Sequence, residues 1–403
     1  MKILVVSNVS EIDRTYGSGV ILGDFLDWFS SEGAEVHLVS ASKFSARNFA
    51  RRLAVAKVPA GTRELLPGFW RIGNTWFSLS PKIWFAWFIE KLGINRGRES
   101  SADYKYDQIM VAEDAIEMAK LSQKENYDVV IADYVWCAPV LAAIHSQAIC
   151  KGIIAHDIMQ NRISSMQKSG SAPDVSEEVA ARELQLLGSA DFVCVETSDD
   201  KAFIQERIPR MEIFLMPRAV LVQAHPTPSD EKFVLFIGGA AQHNVQGIAW
   251  FLKQVWPHIL LECKTARLRI LGAVAHTVTV NHQNVDLVGP VPDSTPFYQG
   301  STVCIIPLLS GSGFKTKLIE ALAFGKACVS TPVGAAGLPP LLEPPLIVVE
   351  EANQFAVAVS AFLKDDELRR TYELRSADYI QKFHSPNAVY SPILEYLNHV
   401  HSR

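Results

Sequence analysis

No C-x-x-C pair occurs in this chain, and its six cysteines (Cys137, Cys150, Cys194, Cys263, Cys304 and Cys328) are scattered, several inside apolar runs such as Val303-Cys304-Ile305. They read as buried reduced thiols. Basic residues are not in excess: 38 Lys and Arg stand against 43 Asp and Glu, a formal net charge of −5. A general nucleic-acid binder needs a basic surface to neutralise phosphates, so that class is set aside, with local basic sites still open. No stretch approaches the ~18 apolar residues of a membrane span. The opening run Ile3 to Val6 is too short for the core of a signal peptide. A cytoplasmic protein is expected. Neither half carries G-x-G-x-x-G opening a helix with an acidic residue after the next strand, which argues against a dehydrogenase. No D-x-D pair falls in a donor loop, since Asp199-Asp200 starts a helical pattern, and no metal site is expected.

What is present is an α/β pattern. With 403 residues, 48% hydrophobic and 20% charged, the chain is too long for one ordinary core and fits two domains with a cleft between them. Ile3 to Val6 reads as a buried strand, Gly17-Ser18-Gly19 as a loop, Val20 to Phe29 as a helix and Glu35 to Val39 as a second strand. That order opens a doubly wound fold. It continues through strands at Val129 to Ile131, Gly152 to Ala155, Phe192 to Val195 and Ile213 to Leu215, with helical patterns at Ile109 to Lys120 and Val175 to Leu187.

Leu221 to Asp230, polar and holding Pro226 and Pro228, reads as a linker. A second sheet follows: Phe233 to Ile237, ending in Gly238-Gly239, then Leu268 to Leu271, Val285 to Leu287, Val303 to Ile306, Ala327 to Ser330 and Leu346 to Val349. Helical spacing covers Val245 to Leu261, Gln354 to Leu363, Asp366 to Phe383 and Pro386 to Val400. The domains are therefore 1–220, with an aromatic insert at 68–92, and 221–385, with a terminal helix over 386–403 that is left open to cross back to the first domain. The insert packs Phe69, Trp70, Trp76, Phe77, Trp84, Phe85, Trp87 and Phe88 into a short span beside Arg71 and Lys82. The first expectation for it is a helical hairpin burying its rings. The alternative is an acceptor-binding or membrane-surface element, because Trp and Phe with basic neighbours suit a lipid interface.

The chemistry concentrates at Gly311-Ser312-Gly313-Phe314-Lys315-Thr316-Lys317, where a strand runs through a glycine loop into a helix with two lysines at its start. Freed backbone amides, the helix dipole and the two ammonium groups make a diphosphate site. The dipole disfavours cations there unless an anion joins them. Glu320 is three residues beyond Lys317 on one helix side, able to accept the paired hydroxyls of a ribose or simply to pair with Lys317.

The run G-S-G-F-K-T-K-L-I-E-A-L-A-F-G-K-A-C-V-S-T-P-V-G-A-A-G-L resembles the donor-site signature of family 4 retaining glycosyltransferases (GT4). Supporting matches are Gly17-Ser18-Gly19, Ala155-His156-Asp157, the F-I-G-G run through Gly238 and Gly239 to Asn244, and Gly289-Pro290-Val291. The resemblance spans nearly the whole chain apart from the insert. It implies a GT-B fold, two Rossmann-like domains facing across a cleft. It also implies no cofactor and no required metal, a UDP- or GDP-sugar as donor, and a glycan or lipid-linked glycan as acceptor, with peripheral membrane contact as a corollary of the latter.

By the same resemblance Lys315 and Lys317 neutralise the leaving diphosphate, Glu320 holds the ribose and Gly289 to Val291 face the base. His156 reaches the donor sugar or its developing charge, and Gly17 to Gly19 close over phosphate and sugar. Alone, His156 reads as a structural histidine with a satisfied ring nitrogen, and the glycine triplet as a tight turn. Two positions depart from the family: Ser312 stands where a glutamate is usual, and Lys315 where an arginine is, retaining charge but losing the bidentate fork. The competing functions are a GT-B sugar-nucleotide epimerase or hydrolase and an inactive, transferase-like binding protein.

Overall fold

The structure is a computed structural model. It describes residues 1–7, 17–40, 60–65, 69–72, 75–78, 109–110, 112–168, 177–223, 232–278, 284–310, 315–338 and 341–402. The chain divides into two units. Unit 1 comprises Met1–Ser164, Ala172–Pro217 and Tyr390–Arg403, and unit 2 comprises Ser165–Ser171 and Arg218–Val389.

The strands of unit 1 are β1 (Lys2–Ser7), β2 (Glu35–Ser40), β3 (Thr62–Leu65), β4 (Phe69–Ile72), β5 (Thr75–Ser78), β6 (Val129–Asp133), β7 (Cys150–Ile154), β8 (Phe192–Val195) and β9 (Glu212–Leu215). Seven form one sheet in the order β3-β2-β1-β6-β7-β8-β9, every pairing parallel. Unbroken apolar runs such as Ile3–Val6 and Val129–Ala132 suit strands covered on both faces, as parallel strands between helices are. Strand order reverses direction at the β1–β6 neighbour pair, which puts Ser7 and Asp133, the last residues of those strands, at the switch point of the sheet.

Unit 2 has β10 (Phe233–Ile237), β11 (Arg267–Leu271), β12 (Val285–Gly289), β13 (Val303–Ile306), β14 (Ala327–Ser330) and β15 (Leu346–Val348), all parallel in the order β12-β11-β10-β13-β14-β15. Two Rossmann-like, parallel-sheet α/β units are thus present, the architecture that the GT-B resemblance implies. The terminal helix Pro386–His401 contributes its residues from Tyr390 onward to unit 1. There Tyr390 packs edge-on to Phe25, with ring centres 6.0 Å apart, and Tyr396 lies against Phe192 and Phe214. No helix among the described residues is long and apolar enough to cross a membrane.

Three local expectations change. The triplet Gly17-Ser18-Gly19 is not a loop; it is the first turn of the helix Gly17–Ser31. Glycine is costly inside a helix, but at the first turn the amides lack intrahelical partners anyway, so the cost there is low. The span Val245 to Leu261 is not one helix. Gln242–Trp250 passes through a π turn at Phe251–Val255 into Trp256–Glu262. The cause is Pro257, whose ring cannot accept the regular hydrogen-bond spacing onto the preceding turn.

The aromatic insert, where described, is not a helical hairpin: β4 and β5 pair antiparallel. Trp, Phe, Thr and Ile favour extended backbone, and the Gly73-Asn74 pair between them has hairpin-turn composition. Trp84, Phe85, Trp87 and Phe88 lie outside the described residues.

Close backbone packing at the strand ends of unit 2 leaves no room for a side chain at Gly272. Gly272 follows β11 at φ +86°, and a Cβ there would lie 2.3 Å from the carbonyl oxygen of Gly238. Gly272→Ala should therefore destabilise the protein by about 1 to 3 kcal/mol through left-handed strain and overpacking. Urea unfolding checks this; a stability equal to wild type would contradict the packing.

Candidate functional site

The charged cluster of unit 2 is built where two helices begin. Helix Gln242–Trp250 follows β10 through Gly238-Gly239, and helix Thr316–Ala323 follows β13. Neither N-terminus has a capping side chain, and neither first turn has an acidic residue. Both ends thus keep the partial positive charge of their leading amides. The side chains bring the two ends together. Asn244 is buried, donates to the Gly239 carbonyl at 3.1 Å, and accepts from Lys317 Nζ. The Lys317 ammonium also lies over the Phe236 ring, 5.4 Å from its centre.

Lys317 thus meets a neutral amide, not a carboxylate. Burial first and the Lys315 charge second pull its pKa down to about 8, with Glu320 acting weakly the other way. Lys315 precedes the helix as its cap residue and is 8% exposed. His243, next to Asn244, feels both lysines: burial, then Lys317, then Lys315 hold its ring below the ordinary histidine range. Two ammonium groups and a histidine gathered at two helix starts without capping side chains are the electrostatic outline of an anion site.

Glu320 does not pair with Lys317. One carboxylate oxygen accepts from Arg218 at 2.5 Å and the other from the Tyr298 hydroxyl at 3.1 Å. Tyr298 is fixed in turn by stacking on Phe324 at 4.8 Å. The carboxylate is therefore oriented before any ligand arrives, with its side chain a third exposed. Gly289 ends β12 at φ +80° and accepts from the Gly272 amide at 2.8 Å, which ties it to the Gly238 turn. Pro290 is exposed and Val291 half-buried against the core. Gly311, Ser312, Gly313 and Phe314 lie outside the described residues. A small pocket lined by Lys317, Tyr298, Ile237 and Cys304 lies beneath the cluster.

The other predicted residues belong to unit 1, where Gly17, Ser18 and Gly19 open the first helix. His156, at φ +53°, is 3% exposed, with Nε2 2.8 Å from Asp133 and Nδ1 3.0 Å from Glu196. Ser7 donates to the second oxygen of Asp133 at 2.6 Å. Burial alone would lower the pKa of His156, but the two carboxylate hydrogen bonds outweigh it and raise it to about 10. The ring is a caged imidazolium with both nitrogens engaged, so a hydrogen bond from it to a sugar requires release of one carboxylate.

Sequence reasoning missed Asp133, Glu196, His243, Arg218 and Tyr298. The first two had a signal, since Ser7, Asp133, His156 and Glu196 all fall at or just past strand ends, where α/β ligand sites form. Arg218 had none, being 102 residues from Glu320. Among the described residues no group of three or more His, Cys, Asp or Glu is placed to hold a metal ion.

Residues 231–365 match the family model described as Glycosyl transferases group 1. A relative from Klebsiella pneumoniae, an uncharacterized 44.6 kDa protein in the cps region, is 24% identical over 174 residues, 40% of this chain. The match spans 45% of that relative's length. In structure the chain is similar to sucrose-phosphate synthase from Thermosynechococcus elongatus, with TM-score 0.65 and 14% identity over 100% of both chains. It is likewise similar to Anabaena HepE in complex with UDP, with TM-score 0.63 and 13% identity over 99% of this chain and 100% of that one. A third is a mutant of S. aureus TarM in complex with fondaparinux, alpha-GlcNAc-glycerol and UDP, with TM-score 0.63 and 12% identity over 98% of this chain and 99% of that one. These likenesses place the fold with GT-B glycosyltransferases, and the segment carrying Lys315, Lys317 and Asn244 lies inside the family match.

Proposed function

We propose that the chain is a retaining, GT4-like glycosyltransferase that moves a sugar from a nucleoside-diphosphate sugar to a hydroxyl of a glycan or lipid-linked glycan. The single observation that carries the reading is the meeting of Lys315, Lys317 and His243 at two helix starts without capping side chains, an arrangement whose positive charge and leading amides favour a diphosphate. When the bond between the anomeric carbon and the phosphate oxygen breaks, the electron pair stays on the diphosphate. Cations already in place stabilise that charge without reorganising.

Glu320, held by Arg218 and Tyr298, presents a fixed acceptor to the ribose hydroxyls. The backbone around Gly289 to Val291 is the proposed base site. The UDP of the HepE and TarM complexes supports UDP as the first donor to try. His156, kept charged in unit 1, is proposed to order the strand ends there through Asp133 and Glu196. The lysines and helix dipoles are proposed to take the place of a metal. A lipid-linked acceptor would bring the protein to a membrane surface through the aromatic segment 68–92.

The test is thermal shift with UDP, GDP, ADP and their sugars, followed by nucleotide release with and without acceptor in EDTA. A ligand at one hundred times its Kd raises stability by ~2.7 kcal/mol. A shift with a nucleoside diphosphate and acceptor-dependent release in EDTA are expected. Release without acceptor would point to a hydrolase, binding without release to a binding protein, and loss in EDTA restored by Mg²⁺ to a metal-dependent enzyme.

A further inference from the structure

We propose that His243 is a third cationic contact of the diphosphate and takes up a proton from solvent as the donor binds. This rests on the donor-site reading above and deepens it. His243 is the second residue of the helix Gln242–Trp250, one position before Asn244, whose amide grips Lys317. It therefore stands where the two helix starts converge. Its ring makes no hydrogen bond among the described residues, and it is half-buried. The charged groups acting on it are Lys315 and Lys317, both from the facing helix start. Its own helix holds no other charged residue, and the intervening residues Gly311 to Phe314 have no ionisable side chain.

Every influence on the ring of the ligand-free protein opposes a positive charge. Burial does so first; the two ammonium groups follow, and the positive end of the helix adds to them. A diphosphate reverses the balance, because its negative charge offsets both lysines and gives the imidazole N–H an acceptor. The site can then hold three cations with the anion present and only two without it. After transfer the leaving diphosphate carries one more negative charge than the intact donor, so the protonated ring binds it more strongly than the substrate. As pH rises above the histidine range, the added cation is lost and nucleotide release becomes easier.

The experiment is calorimetry of UDP binding in two buffers of different protonation enthalpy, on wild type, His243→Asn and His243→Gln. At about pH 7, where an ordinary histidine is mostly neutral, wild type should take up a measurable fraction of a proton per UDP, up to about one half for a rise of about one pKa unit. Both variants should lose most of that uptake. Their affinity should be weaker by roughly five- to tenfold at about pH 6 and equal to wild type near pH 8, the range set by a shift of about one pKa unit. Lys317, with its pKa at about 8, adds uptake above that pH in all three proteins and so separates from His243. Binding by wild type with no proton uptake at about pH 7, or variants that retain it, would overturn this proposal alone. Failure of wild type to bind UDP, GDP, ADP or inorganic pyrophosphate would overturn the donor-site reading, and this proposal with it. The wild-type proton count decides the matter even if the variants fold poorly.

Discussion

Lys317→Ala is expected to lower turnover by a factor on the order of 10² to 10³, equivalent to about 2 to 4 kcal/mol of transition-state stabilisation. The ammonium is anchored by Asn244 and lies partly buried over Phe236, so it holds one position when the phosphate charge develops. A surface lysine would swing into water instead. Its lowered pKa adds a check: donor affinity should fall as pH rises through about 8, where the free protein gives up this charge. Asn244→Ala should reproduce part of the loss with both lysines intact, since it frees Lys317 from its anchor. Lys317→Arg should recover more activity than Lys317→Ala. Steady-state kinetics with the donor found by thermal shift measures all three. Wild-type kinetics in Lys317→Ala would remove the diphosphate assignment.

Asp133→Asn is expected to destabilise the protein by about 3 to 5 kcal/mol, because it strips a partner from a buried charge. Asp133 and His156 are both within 3% of complete burial, and each makes its bonds inside unit 1. The donor cluster belongs to unit 2, so Asp133→Asn that remains folded should still bind nucleotide. The pH dependence has a definite sign. The folded pKa of His156, about 10, is above its unfolded value near 6.5. Its contribution to stability is full below about pH 6.5 and lost as pH rises toward 10. Urea unfolding at about pH 7 and pH 9 should show a falling stability in wild type, with a smaller fall in Asp133→Asn. An unchanged midpoint in the variant would contradict the caged imidazolium.

The strands and helices of both units follow closely from apolar runs and their period, because a parallel sheet buried on both faces demands uninterrupted Ile, Val and Leu. Phe233–Ile237 and Val303–Ile306 carry that signature without ambiguity. The glycine triplet at Gly17 was less legible, since composition marks where glycine is tolerated and not whether the chain turns or coils there. The π turn before Pro257 was visible in principle but masked by helical spacing on either side. The β4–β5 pair shows the reverse error, in which aromatic richness suggested a helix while local propensity and the Gly-Asn pair favoured a hairpin.

The same division runs through the donor cluster. Lys315, Lys317 and Glu320 could be read from sequence because a strand, a glycine loop and a helix start bring local residues to an anion without help from elsewhere. The partners of those residues could not. Asn244 reaches Lys317 across 73 positions and Arg218 reaches Glu320 across 102, and in unit 1 the cage around His156 draws on Ser7, Asp133 and Glu196 from separate strand ends. Periodicity and helix-start chemistry are local, so the sequence by itself determined the two α/β halves and the lysine pair at a helix start. Which carboxylate is clamped, which histidine is caged and which histidine stands beside the lysines are set by distances between remote elements. Only the tertiary structure decided those, because strand order and register bring together residues whose separation in the chain says nothing of their separation in space.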